Sequence, residues 1–179
     1  MKQFVITFLL VLVSSAAVYP QASAADAERD ATREQVRALL TNKGPAIDVV
    51  FKQSAIQPYN FVGTMTKGLS NADSLEIVVG VTPHKTIGFR IFPHYNSGFV
   101  NVDKAKNNLG LARLLLQLSD KNFLFWGMDG SSDVFAGYTF TLESGFPEAS
   151  INVVLGSIKN LDAYVGQMKP FIDGTAPPK

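Results

Sequence analysis

Acid–base or metal chemistry in this chain would have to start from His84 and His94, the only two histidines, because there is no cysteine. An imidazole pair binds a cation or relays a proton when carboxylates or thiolates converge with it. Here each histidine sits beside a proline at an expected strand end, Pro83-His84 and Pro93-His94, without a close-spaced acidic ligand. The two meet only if the ends of the second and third strands come together; otherwise both are turn or surface residues. His94-Tyr95-Asn96 offers at most a polar rim.

The other polar clusters point to structure. Asp129, Ser131 and Asp133 look like a fragment of a calcium loop, but such a loop needs a central Gly and a distal Glu at fixed spacing. With Gly130 misplaced, DGSSD reads as a hairpin turn, with Gly supplying positive φ and Asp and Ser bonding the local backbone. Asp73 and Glu76 form a close acidic pair at a solvated strand start. Arg90 either binds a carboxylate or pairs with Glu76 across neighbouring strands. There is no Gly-x-Ser-x-Gly elbow and no phosphate-cradling Gly-rich loop. The expectation is a protein that is not an enzyme, with no catalytic residue, metal ligand or cofactor.

The elements that position these residues follow from periodicity. Asp26–Asn42 reads as a helix, with Asp26, Glu28 and Asp30 early, where negative charge suits the dipole, and Lys43-Gly44-Pro45 as the stop. A second short helix is expected over Ala46–Ser54. Strands follow at Asn60–Thr66, at Leu75–Thr82 and at Ile87–Phe92, the last ended by Pro93. Leu75, Ile77, Val79 and Val81 put one wholly apolar side on the second. Phe99–Val102 extends the third strand beyond a kink or forms a separate short one. Asp103 is the expected N-cap of a Leu-rich helix, Lys104–Leu118, in which Leu111, Leu114, Leu115 and Leu118 share a face. Strands Asn122–Met128 and Val134–Leu142 form a hairpin around Asp129–Asp133. A final helix from Pro147 or Glu148 to near Phe171 carries the stripe Ile151, Val154, Leu155, Ile158, Leu161, Val165 and Met168. The order is α(α)-β-β-β-α-β-β-α. Short connections imply antiparallel pairing, so the fold class is α+β: about five antiparallel strands packed with helices.

Composition narrows the partners. Lys and Arg total 16 and Asp and Glu 15; without Lys2 the balance is 15 to 15. With no basic run, electrostatic nucleic-acid binding is excluded as an expectation. Residues 1–24 read as a secretory signal: Lys2, the apolar run Phe4–Val13, the Tyr19-Pro20 break and the small-x-small site Ala22-Ser23-Ala24. That run is short of the about 20 residues of a membrane span. The expected layout is a signal at 1–24, one domain at 25–174 and a flexible tail at 175–179. The protein is then periplasmic or secreted, with no membrane span after cleavage.

The hairpin carries a second message. Leu124, Trp126 and Met128 share one side of their strand with Val134, Ala136, Tyr138, Phe140 and Leu142 of the next. Phe123, Phe125 and Phe135 compete for the back face, which a one-sided helical layer leaves polar. Large apolar patches mark interfaces or ligand grooves. Three readings stand: the N-terminal helices cover this face, it receives a protein or a second copy as a homodimer, or it forms a small-ligand groove. The candidate binding residues are Phe123, Phe125 and Phe135, with Arg90 at their rim.

The Leu-rich helix LARLLLQLSDKN, the hairpin FLFWGMDGSSDVFAGYTF and the last helix INVVLGSIKNLDAYV resemble the YbjN-like branch of the type III secretion chaperone-like fold, over about Asp26–Ile172. The resemblance implies a non-enzymatic protein. Chaperones of that fold are usually dimers that hold extended client segments along apolar grooves, and YbjN-like proteins are linked to regulation and stress responses. Those chaperones are cytosolic and mostly acidic, whereas this chain is neutral with an export signal; the implication is an envelope or secreted relative with another partner. The expected function is binding of a protein or an unfolded segment through an apolar sheet surface. The alternative is a periplasmic carrier of a small molecule or lipid, with its groove between the sheet and the long helix.

Overall fold

The computed structural model describes residues 24–121 and 123–175. The expected signal lies outside them except for Ala24, as do Asn122 and residues 176–179. The chain is α+β, with an antiparallel sheet of seven strands among the described residues. Helix α1 (Ala24–Lys43) leads through a 3-10 turn (Gly44–Ile47) to β1 (Lys52–Gln53), β2 (Asn60–Met65), β3 (Ser74–Val81), β4 (Thr86–Tyr95) and β5 (Gly98–Phe99). Then come α2 (Asn108–Lys121), β6 (Phe125–Met128), β7 (Val134–Thr141), α3 (Glu148–Ser157), a 3-10 turn (Ile158–Asn160) and α4 (Leu161–Ile172). The sheet order is β1-β2-β3-β4-β7-β6, with β5 paired to β4.

Alternation makes the central strands one-sided. Leu75, Ile77, Val79 and Val81 of β3 and Ile87, Phe89 and Ile91 of β4 are all buried. The register sets Ile77 opposite Ile91, Val79 opposite Phe89 and Val81 opposite Ile87, stacking apolar pairs on one side. Against that side pack Val36 and Leu40 of α1, Leu111 and Leu115 of α2, Ile151 of α3 and Val165 of α4, in a single core. Each such side chain, fully buried, contributes about 1.5–3 kcal/mol. Helix α1 belongs to this layer. Arg29 donates to the Val81 carbonyl through Nε and Nη2 at 3.0 and 2.7 Å, and its guanidinium lies 3.5 Å from the Tyr59 ring centroid. The N-terminal helix therefore does not cover the back of the sheet.

Several expected boundaries move, each for a local reason. No helix forms over 46–54: Asp48 takes a left-handed conformation (φ 55°) that ends the 3-10 turn, and the chain enters β1. Strand β4 runs through Pro93. The missing N–H costs no ladder bond, because pairing with β7 has stopped at Ile91–Ala136; on that side the Pro93 carbonyl accepts the Val100 N–H at 2.9 Å. Asn96 and Ser97, both at positive φ, then turn the chain into the separate short strand β5. The N-cap of α2 is Asn107, whose Oδ1 accepts the Gly110 N–H at 2.9 Å; Asp103 instead accepts the Ser132 hydroxyl. The last helix is broken at Ile158–Asn160, although all seven residues of its stripe are buried.

Asp162 in α4 ties the helical layer to the β2–β3 loop. Its carboxylate accepts the backbone N–H groups of Ser70, Asn71 and Ala72 at 2.7–2.9 Å and the Asn71 side-chain amide at 3.2 Å. Burial pushes this carboxyl up, but the four donors together outweigh it and hold it below the ordinary 3.8.

Candidate functional site: the open face of the sheet

The helices occupy one side of the sheet. The other presents the even-numbered residues of β2, β3 and β4 and the odd-numbered residues of β6 and β7. On it a row of rings crosses four strands. Phe125 of β6 meets Phe135 of β7 edge-on with centroids 5.8 Å apart, and Phe135 lies 5.6 Å from Phe92 of β4. Phe92 continues to Phe99 of β5 at 5.9 Å, and Phe99 lies against His94 at 4.2 Å. Phe135 is buried in the middle of the row, whereas Phe125 is 47% and Phe99 39% exposed.

Two glycines let the β6–β7 rings approach the sheet backbone closely. Phe125 is paired with Gly137 and Phe135 with Gly127. A Cβ at Gly137 would run into the Phe125 ring, and one at Gly127 would touch Phe135 at 3.4 Å. Arg90, in register with Gly137 from the β4 side, extends its guanidinium to 4.8 Å from the Phe135 centroid. Arg90 is therefore held by an aromatic face and not by Glu76; no ion pair joins the two among the described residues. Beside the row is a shallow hollow of about 460 Å³, floored by Val78, Gly80 and Gly88 and flanked by Thr86 and Thr139.

The sequence-predicted residues divide. Phe125, Phe135 and Arg90 come together on this face. Phe123 does not join them: its ring meets Tyr138 at 5.9 Å, and Tyr138 packs on Phe140 of the helix-covered side. The strand begins only at Phe125, so parity cannot be extended back to Phe123. Sequence reasoning missed Phe92 and Phe99. Continuing the alternation Arg90, Phe92, His94 through Pro93 would have found Phe92.

The histidines stay apart. His84 is exposed in the β3–β4 turn, and His94 lies at the far end of β4, about 30 Å away along a strand rising about 3.3 Å per residue. The His94 Nε2 atom is buried without a hydrogen-bond partner among the described residues. Tyr95 turns to the helical side, where its hydroxyl donates to Asp173 at 2.9 Å; that bond raises its pKa above 10.0. The 129–133 turn is closed by its own bonds. Asp129 Oδ1 accepts the N–H groups of Ser131 and Asp133, and positive φ falls on Ser132, not on Gly130. Among the described residues no group of three or more His, Asp or Glu is placed to hold a metal ion.

Both sheet edges are poor templates for strand addition. At β6, Ser119 Oγ occupies the outward main-chain groups of Trp126. At the other edge, β1 has only two residues, the exposed Lys52 and Gln53, a pattern that discourages pairing. Association through this sheet is thereby directed to its face. In comparison with known proteins, the chain matches no family model and no curated protein.

Proposed function

We propose that this is an exported, YbjN-like, non-enzymatic protein that binds another protein or an unfolded segment by laying it across the open sheet face. The observation that carries the reading is the row Phe125–Phe135–Phe92–Phe99, exposed at its two ends, with Arg90 beside it, on a sheet whose edges are poor templates for strand addition. Aromatic and Arg side chains in a partly desolvated centre are the usual anchors of protein interfaces. Phe135, already buried, supplies a rigid centre; Phe125 and Phe99 supply the area left to bury.

The test is native mass spectrometry of the chain recovered from its own envelope fraction, with Phe125→Asp and Phe99→Asp in parallel. The wild type carries a second protein mass, and each variant retains native circular dichroism but runs as a bare monomer. Variants that keep the associated mass would overturn the reading, as would a bare wild-type monomer.

A second reading, carriage of a small apolar molecule, is favoured by the hollow beside Gly88, whose size falls within the about 300–1,000 Å³ of small-ligand sites. It predicts a small extra mass on the wild type that is released on denaturation.

A further inference from the structure

We propose that the hollow at Gly88 holds an acidic sugar, its pyranose ring lying on the glycine floor and its carboxylate on Arg90. This rests on the premise of the second reading above, that the hollow is a ligand site, and replaces an apolar occupant by a polar one.

A glycine inside a strand weakens it, and marks a bulge, a close contact or the approach of a ligand. Register with β3 and with β7 is unbroken through Gly88, so there is no bulge, and its φ is not positive. At Gly63, Gly80, Gly127 and Gly137, the glycines of β2, β3, β6 and β7, a Cβ would meet a neighbouring side chain within 4 Å. At Gly88 it would meet nothing within that distance. The fold gives this glycine no packing role, which leaves the approach of a ligand.

The surroundings of Gly88 say which ligand. Its nearest neighbours on the open face are Thr86 and Arg90 along β4, and Gly80 and Thr139 across the ladder. All four sides present a hydrogen-bonding group. Over Gly80 lies the Asn60 side chain, with Oδ1 2.7 Å from where a Gly80 Cβ would stand. The Asn60 amide donates to Gln57, so Oδ1 remains an acceptor. The Thr86 hydroxyl is held 2.7 Å from that of Thr82. The Thr139 hydroxyl and the Arg90 guanidinium have no hydrogen-bond partner among the described residues. Two diagonal positions are apolar: Val78, and the Phe125 ring lying over Gly137.

A polar rim around a bare floor, with apolar walls, complements a ring whose hydroxyls radiate in its own plane and whose faces are C–H. A pyranose with equatorial hydroxyls is such a ring. An apolar occupant would strip water from four polar groups and return no hydrogen bond to any of them. Charge narrows the class. Arg90 is the only charged residue lining the hollow; Glu76 stands outside it. A guanidinium grips a carboxylate through two parallel hydrogen bonds.

The test is an NMR titration of the full chain, nitrogen-15 labelled, with D-glucuronate, D-glucose and hexanoate at millimolar concentration. Glucuronate should shift the Gly88, Arg90 and Thr139 amides saturably, and glucose should bind at least about tenfold more weakly. Gly88→Val fills the floor without a clash and should abolish glucuronate binding while the spectrum stays that of a folded chain. Arg90→Gln should bring glucuronate down to the affinity of glucose and leave glucose unchanged, a split that a merely structural role for Arg90 would not produce. Equal affinity for the two sugars on the wild type, or glucuronate binding that survives Gly88→Val, would overturn the proposal. Hexanoate shifting these amides where neither sugar does overturns the sugar and leaves the hollow a site for an apolar ligand. If none of the three shifts them, the sugar and the carrier reading both fall. The β-linked trimer of glucuronate separates two sources of the same chemistry: tighter binding than the monomer supports a unit of an acidic polysaccharide, and equal binding supports a free sugar.

Discussion

The hydroxyl of Ser119 in α2 closes the outer edge of β6 at Trp126. It accepts the Trp126 N–H at 2.7 Å and shares its own proton between the carbonyls of Leu115 and Trp126, at 3.0 and 3.2 Å. One side chain thus stands in for a missing neighbour strand. Ser119→Ala leaves a main-chain donor and acceptor unpaired next to a buried Trp, and is expected to cost about 1–3 kcal/mol. Hydrogen exchange is the direct readout. The Trp126 amide should lose protection while the β3–β4 amides keep theirs; unchanged Trp126 protection would count against this role.

The glycines of the open face are not equivalent. Gly137 lies under the Phe125 ring, so Gly137→Ala must displace that ring, at about 1–3 kcal/mol. Gly88 has nothing within 4 Å of a built Cβ, and an Ala there relieves the entropic cost of Gly in a strand, a gain of about 0.5–1 kcal/mol. Thermal unfolding of the two variants should therefore move in opposite directions. If both destabilise equally, the open floor at Gly88 is wrong.

Arg29 fixes which face α1 covers. Its two hydrogen bonds to the Val81 carbonyl and its stacking on Tyr59 hold the start of the helix at the end of β3. Asp30 secures Tyr59 from the same helix, and the hydrogen bond to Asp30 raises the Tyr59 hydroxyl above its ordinary 10.0. Arg29→Ala should expose the first turns of α1 to limited proteolysis at native pH while the global transition changes little. Arg29→Lys, which keeps the charge but loses the two-nitrogen grip, should behave nearly like Ala. Wild-type resistance in the Lys variant would mean that charge alone holds the helix.

Much of this architecture was legible because it rests on alternation and helical stripes. The odd-numbered apolar residues of 75–81 and the stripe from Ile151 to Met168 are buried as their periods require. What escaped depends on distant contacts. Asp103 and Asn107 both suit an N-cap, and only the bond from Ser132 to Asp103 across the fold separates their roles. Pro93 reads as a strand end unless one knows that β7 has already stopped pairing there. That misreading hid the continuation of the aromatic row to His94 and Phe99. The candidate face was visible in Phe125, Phe135 and Arg90. Its clearance by α1 was not, because both faces of α1's docking strand carry apolar residues, Val79 and Val81 on one and Val78 on the other.

Asp162 makes stability depend on pH in a predictable direction. Its folded carboxyl lies below the ordinary 3.8, so in the window between the two values the unfolded chain binds a proton that the folded chain does not. The contribution is fully present above 3.8 and is lost as pH falls through the lower, folded value. Asp162→Asn cannot accept from four donors and turns an amide N–H₂ toward backbone N–H groups, at about 1–3 kcal/mol near neutrality. Denaturant unfolding from pH 7 to pH 2.5 should show the wild type losing stability faster than Asp162→Asn, so the difference between them narrows with acid. A difference that stays constant across that range would mean that Asp162 acts by packing rather than as a carboxylate.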